Sequence, residues 1–175
     1  MSISAIAARR ARMLNTAGFA VCAAMMAYAL YAEHYLLLEP CPLCIFQRVA
    51  TIALGIFFLL AAVHNPAGWG RRVYAVLVGL AAAAGAAIAG RHVWLQNLPA
   101  DEVPTCGPGL GYILDSFPLR DALGMVFTGS GECAEIDWLF LGLTMPAWVL
   151  IMFLGLFGFG LWVNLARRRS TTSAL

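Results

Sequence analysis

The sequence predicts an all-α membrane protein: a four-transmembrane-helix bundle, one membrane domain over residues 1–175, with a short amphipathic surface helix in its second outer loop. Three observations predict this. Hydrophobic residues make up 62% of the chain and charged residues only 11%, too few to cover a soluble domain of this length. Four uncharged stretches, 13–32, 49–70, 73–90 and 138–166, approach or exceed the roughly 20 residues that a helix needs to cross a hydrocarbon core. The charges are also segregated. Every basic residue is Arg, and Arg clusters flank the stretches on one side, while all nine acidic residues fall on the other.

The elements follow in order, with spans expected at about 13–32, 45–63, 73–90 and 144–164 and outer loops at about 33–44 and 91–143. Arg9, Arg10 and Arg12 precede the first span. Its apolar run is long enough for a retained helix rather than a cleaved signal peptide. Cys22 lies near its middle and reads as a small buried hydrophobe. The short first outer loop leads into Cys41-Pro42-Leu43-Cys44, and span two stops at the turn signal His64-Asn65-Pro66-Ala67-Gly68. Arg71 and Arg72 separate it from span three, whose Gly79, Gly85, Gly90 and many alanines suit close helix approach in lipid.

The second outer loop changes character along its length. Pro99, Pro104 and Pro108 make its first part irregular. Leu119, Ala122, Leu123, Val126 and Phe127 then recur at helical spacing, which predicts the surface helix. Gly129-Ser130-Gly131 forms a hinge before Cys133. In span four, Gly155, Gly158, Gly160 and Pro146 read as packing and local-bend features, and Arg167, Arg168 and Arg169 follow it. The positive-inside rule puts both termini in the cytoplasm and both loops outside. A net charge of +2 carries little information, and no nucleic-acid partner is expected.

Cys41, Cys44, Cys106 and Cys133 therefore all face the outer side, as suits an oxidising compartment. Three readings compete: two structural disulfides, a metal site, and a redox relay. The metal reading is weakened because Cys106 and Cys133 lack tight ligand spacing and no nearby His completes a usual zinc set. A disulfide between Cys41 and Cys44 would close too short a ring to stabilise the fold much, whereas such rings tend to be redox-active. Pro42 stiffens the ring. Arg48, four residues after Cys44, shares a helical face with it, and a guanidinium there favours thiolate over thiol.

Taken together, Cys41-Pro42-Leu43-Cys44-Ile45-Phe46-Gln47-Arg48, Arg91-His92-Val93-Trp94-Leu95-Gln96, the Cys106 and Cys133 pair, Trp138, Leu141-Gly142 and Met145-Pro146-Ala147-Trp148 resemble the disulfide bond formation protein B (DsbB) family, over nearly the whole chain. The resemblance implies a thiol:quinone oxidoreductase of the bacterial inner (cytoplasmic) membrane, with periplasmic redox loops. It implies a periplasmic DsbA-type thiol oxidase as protein partner, and the membrane lipid with its quinone pool, ubiquinone or menaquinone, as the other. By the same resemblance Cys106 takes up the mixed disulfide, Cys133 resolves it and exchanges with Cys41, and Cys44 faces the quinone. Arg48 and His92 would attend the quinone ring, with Met145 lining its pocket and no metal among the site's expected components. Gln47 departs from family members that carry an acid there. Three alternatives remain open: a membrane metal-binding protein using the outer cysteines, a disulfide-stapled scaffold, and a quinone reductase of the vitamin K epoxide reductase type.

Overall fold

The computed structural model describes residues 3–99, 101–103, 118, 120, 121, 124 and 131–165. Helix α1 spans Ile3–His34, α2 Pro42–His64, α3 Trp69–Gln96 and α4 Met145–Leu165. All four are long and apolar enough to cross a membrane. Only 17–33% of the residues in each apolar window are buried inside the protein. Large apolar side chains such as Val49, Ile56, Leu80 and Leu154 stand exposed along the helices. An apolar surface this extensive is a lipid-facing one. The chain is a multi-pass four-helix bundle.

The helices extend beyond the apolar runs. Helix α1 begins at Ile3, so Arg9, Arg10 and Arg12 lie on it. Helix α2 begins at Pro42, whose fixed φ suits the first helical position. Helix α3 continues to Gln96, where the sequence suggested loop from residue 91. No breaker interrupts residues 91–96, and the Arg91 guanidinium stacks over the Trp94 ring 3 residues on, 4.0 Å from its centroid. Arg91 and His92 are therefore held on rigid helix.

Each helix packs on the next in chain order, α3 against α4 most closely, while α1 and α4 meet along a sparse seam. Phe58, Val78 and Phe153 are wholly buried at the centre. Glycines let the backbones close around them. A Cβ on Gly85 would run into the Phe153 ring, and one on Gly160 into Val78. Gly155 and Gly158 differ: nothing lies within 4 Å of either. Of the three span-four glycines expected to pack, only Gly160 does. Cys22 is buried in this core, its Cβ facing Gly55.

Near the chain termini the α1–α4 seam is pinned by two buried side chains. Asn15 Nδ2 donates to Asn164 Oδ1 at 3.5 Å and Asn164 Nδ2 to Asn15 Oδ1 at 3.2 Å. Each amide also donates to the carbonyl four residues before it, Ala11 and Gly160. At the same end Asn65 caps α2 in the left-handed region and its amide donates to Ala8 O at 3.2 Å.

At the opposite end a 3-10 turn, Gly131–Cys133, precedes a hairpin of β1 (Leu139–Phe140) and β2 (Leu143–Thr144). Its two turn residues, Leu141 at φ 52° and Gly142 at φ 78°, are both left-handed, the pattern of a type I′ turn. Trp148 Nε1 donates to Phe140 O at 3.1 Å, tying the hairpin to α4. Tyr28, Trp138, Phe140 and Trp148 form a chain of ring contacts across the seam. Aromatics of this kind collect at a membrane–water interface. The expected surface helix over 119–127 lies mostly outside the described residues, as do Cys106 and the first part of the 129–131 hinge.

Candidate redox site

Three chain segments converge at the loop end. Cys41 is the N-cap of α2, with extended backbone (φ −66°, ψ 164°), and Ile45 N–H closes the first turn onto its carbonyl at 3.2 Å. Cys44 follows one turn later. The C-x-x-C pair thus straddles a helix N-terminus, where backbone N–H groups and the positive dipole end face the sulfurs. The two Sγ atoms are 3.4 Å apart. Pro42 occupies the turn between them, as its stiffening role requires.

His92 reaches this pair from the last two turns of α3. Its Nε2 is 3.8 Å from Cys41 Sγ and its Nδ1 is 4.0 Å from Cys44 Sγ. Nδ1 also sits 3.0 Å from the Gln47 amide nitrogen. In the tautomer where Gln47 donates there, the ring proton is on Nε2, facing Cys41. Cys133, wholly buried, completes the cluster from the 3-10 turn: the ligating atoms of Cys41, His92 and Cys133 all lie within 4.8 Å of one another. Leu43 and Leu95, both wholly buried, pack around these sulfurs.

The fold already places Cys133 beside Cys41. The cluster also contains the histidine that spacing alone did not supply. His92 is 51 positions from Cys41, and only the antiparallel approach of α2 and α3 brings them together.

Arg48 lies one turn below Cys44 and lines the same pocket. Its guanidinium forms an ion pair with Glu33 and donates to Ala29 O at 3.2 Å, so it is anchored to α1. Glu33 is a site residue that sequence reasoning missed. An acid beside a span, facing a lone Arg on the next span, was the available signal. Met145 lines the pocket from the start of α4. The pocket has apolar walls from Met25, Met145 and Val149 and a polar end at Arg48, His92 and Gln96. Gln96 Oε1 is buried with no hydrogen-bond partner among the described residues, while its amide nitrogen donates to Glu135 O at 3.3 Å. A second apolar hollow, lined by Tyr28, Trp138, Trp148 and Met152, continues from the pocket along the α1–α4 seam.

A four-span bundle with thiols, an imidazole and a lipid-side pocket gathered at one end defines a polytopic membrane protein of thiol chemistry. The chain belongs to the DsbB family: the family model described as Disulfide bond formation protein DsbB matches residues 11–163. Relatives named Disulfide bond formation protein B are similar over most of their length. One from Nitrosococcus oceani is 57% identical over 145 residues, covering 83% of this chain and 86% of its own. One from Methylococcus capsulatus is 54% identical over 159 residues, covering 90% and 97%. A third, from Acinetobacter baumannii, is 54% identical over 138 residues, covering 78% and 81%.

Proposed function

We propose that this chain is a disulfide-forming thiol:quinone oxidoreductase of the bacterial inner membrane. It reoxidises a periplasmic DsbA-type dithiol oxidase and passes the electrons to a membrane quinone, with both termini cytoplasmic. One observation carries the reading: Cys41 and Cys44, with Cys133 beside Cys41, stand at a pocket that also has apolar walls from Met25, Met145 and Val149 and runs into the seam between α1 and α4.

The residues present fit a quinone. Its ring and tail need apolar walls, and Met25, Met145, Val149 and the seam supply them. Its oxygens need hydrogen-bond donors, and Arg48 and His92 line the same space. A bound ubiquinone or menaquinone supplies an acceptor for two electrons and two protons.

The chain's own residues carry the exchange. The DsbA-type thiolate attacks Cys106 of a Cys106–Cys133 disulfide and releases Cys133 as thiolate. Cys133 attacks Cys41, its neighbour in the fold. The Cys41–Cys44 bond breaks, a Cys41–Cys133 bond forms, and the electron pair leaves on Cys44, facing the pocket. Attack by the partner's second thiol then frees Cys106, which returns to Cys133 and releases Cys41. His92 Nε2 is placed to hold the proton exchanged at Cys41. Arg48, oriented by Glu33 and Ala29, supplies positive charge to the pocket beside Cys44.

The test is quinone reduction by the purified protein with a reduced DsbA-type protein as electron donor, followed by quinone absorbance. Cys106→Ser should abolish oxidation of the donor, and Cys44→Ser should abolish quinone reduction. Turnover at the wild-type rate in either variant overturns the proposal.

A further inference from the structure

Cys41, Cys133 and His92 come from three separate elements: the N-cap of α2, the 3-10 turn before the hairpin, and the end of α3. Each is nearly or wholly buried, and their ligating atoms lie within 4.8 Å of one another. The usual thiolate and imidazole distances to zinc, about 2.3 and 2.0–2.1 Å, put two tetrahedral sulfurs roughly 3.8 Å apart and a sulfur and nitrogen roughly 3.6 Å apart. Cys41 Sγ and His92 Nε2 are 3.8 Å apart, within a few tenths of an ångström of that requirement. We infer that the reduced site binds one borderline-soft divalent cation, zinc being the natural probe, through Cys41, Cys133 and His92.

The surroundings of His92 support this independently of the cysteines. A metal-bound histidine needs its second ring nitrogen held by a hydrogen bond. His92 Nδ1 already has that partner in Gln47, whose amide nitrogen is 3.0 Å away and which is itself buried. An amide can serve either ring tautomer. Turned one way it donates to Nδ1 and leaves the proton on Nε2. Turned the other, its oxygen accepts from Nδ1–H and frees the Nε2 lone pair for a metal. A carboxylate at position 47 could only accept. The glutamine at position 47 therefore makes His92 bifunctional.

Binding exchanges protons for metal. The Cys41 and Cys133 thiols each lose one proton to solvent and form one bond to the cation, with no change in oxidation state. A disulfide at either sulfur removes a ligand, so zinc binds only the reduced form and holds it reduced. The fourth position is left for water or for Cys44, whose Sγ is 3.4 Å from that of Cys41.

The experiment uses the full chain in detergent, reduced by a non-thiol phosphine and titrated with zinc against a chromophoric chelator. The expected result is one zinc per chain with sub-micromolar affinity, and none after disulfide oxidation. Cys133→Ser should weaken binding by more than tenfold, and Gln47→Leu by roughly tenfold, as loss of an outer-shell partner does. Cys22→Ser and Cys106→Ser should bind as wild type does. Far-ultraviolet circular dichroism verifies that each variant is folded. In parallel, zinc should shield Cys41 and Cys133, but not Cys106, from maleimide labelling read by mass spectrometry. No stoichiometric uptake by the reduced chain, unchanged affinity in Cys133→Ser, or equal loss in Cys106→Ser overturns the inference. None of these readouts involves quinone or a partner protein, so failure of the proposed oxidoreductase activity leaves the result separately readable.

Discussion

Gly85→Ala should destabilise the bundle, although alanine is the better helix former. Replacing a mid-helix glycine by alanine gains about 1 kcal/mol of helix propensity. At Gly85 the added methyl would overlap the Phe153 ring, and Phe153 is wholly buried against α3, so it has no solvent-side escape. Overpacking of this kind costs about 1–3 kcal/mol. The net change is then about 0–2 kcal/mol of destabilisation. Gly90, 5 residues along the same helix, has nothing within 4 Å and should show the propensity gain alone. The two variants should therefore differ by about 1–3 kcal/mol, or roughly 2–12 °C in Tm for a chain of this size. Thermal unfolding in one detergent, followed by tryptophan fluorescence, measures the difference. Trimming the ring with Phe153→Leu should rescue Gly85→Ala by more than it changes the wild type. His92 lies two turns beyond Gly85 on the buried face of α3. A shift of α3 at Gly85 should therefore also slow quinone reduction, whereas Gly90→Ala should not. Equal Tm values for the two alanine variants would refute the argument that this glycine is kept for the Phe153 ring.

Arg48→Ala should raise the apparent KM for quinone more than it lowers kcat in steady-state quinone reduction; an unchanged KM would reduce Arg48 to an interfacial anchor. Asn15→Leu and Asn164→Leu should each destabilise the bundle, with a coupling energy of about 0.6–2 kcal/mol in a double-mutant cycle of thermal stability, the range for hydrogen bonds between membrane helices. Leu141→Asn places a residue that tolerates the left-handed region at φ 52° and relieves about 1–2 kcal/mol of strain. Amide exchange of the hairpin strands should slow about fivefold or more.

The spans were legible because uncharged length and arginine placement are one-dimensional properties of a chain. So was the C-x-x-C pair at the mouth of the second span. What resisted reading was contact between distant positions. Nothing in the periodicity of α2 or α3 announces that His92 meets Cys41 and Gln47, or that Glu33 anchors Arg48. Asn15 and Asn164 are 149 positions apart, and each alone looks like a tolerated polar residue in an apolar run. The length of α3 was underestimated for a related reason. Hydropathy drops at Arg91, but the helix continues until Asn97 and Pro99 because nothing before them breaks it. Gly155 and Gly158 show the converse error, since small residues mark a packing face only when a neighbour lies opposite.

The asparagine pair turns the bundle into a lever. Three of the four joints around the ring of helices are covalent, and the fourth, between α1 and α4, is a hydrogen-bonded pivot at one end. Ala29 lies 14 residues beyond Asn15, an arm of about 21 Å at 1.5 Å per residue. Parting the seam by about 3 Å at the pocket then needs a swing of roughly 8° about that pivot, on an arm of this length. So small an angle is enough to admit a bulky lipid-soluble molecule sideways while α2 and α3, which carry Cys41, Cys44 and His92, keep their places.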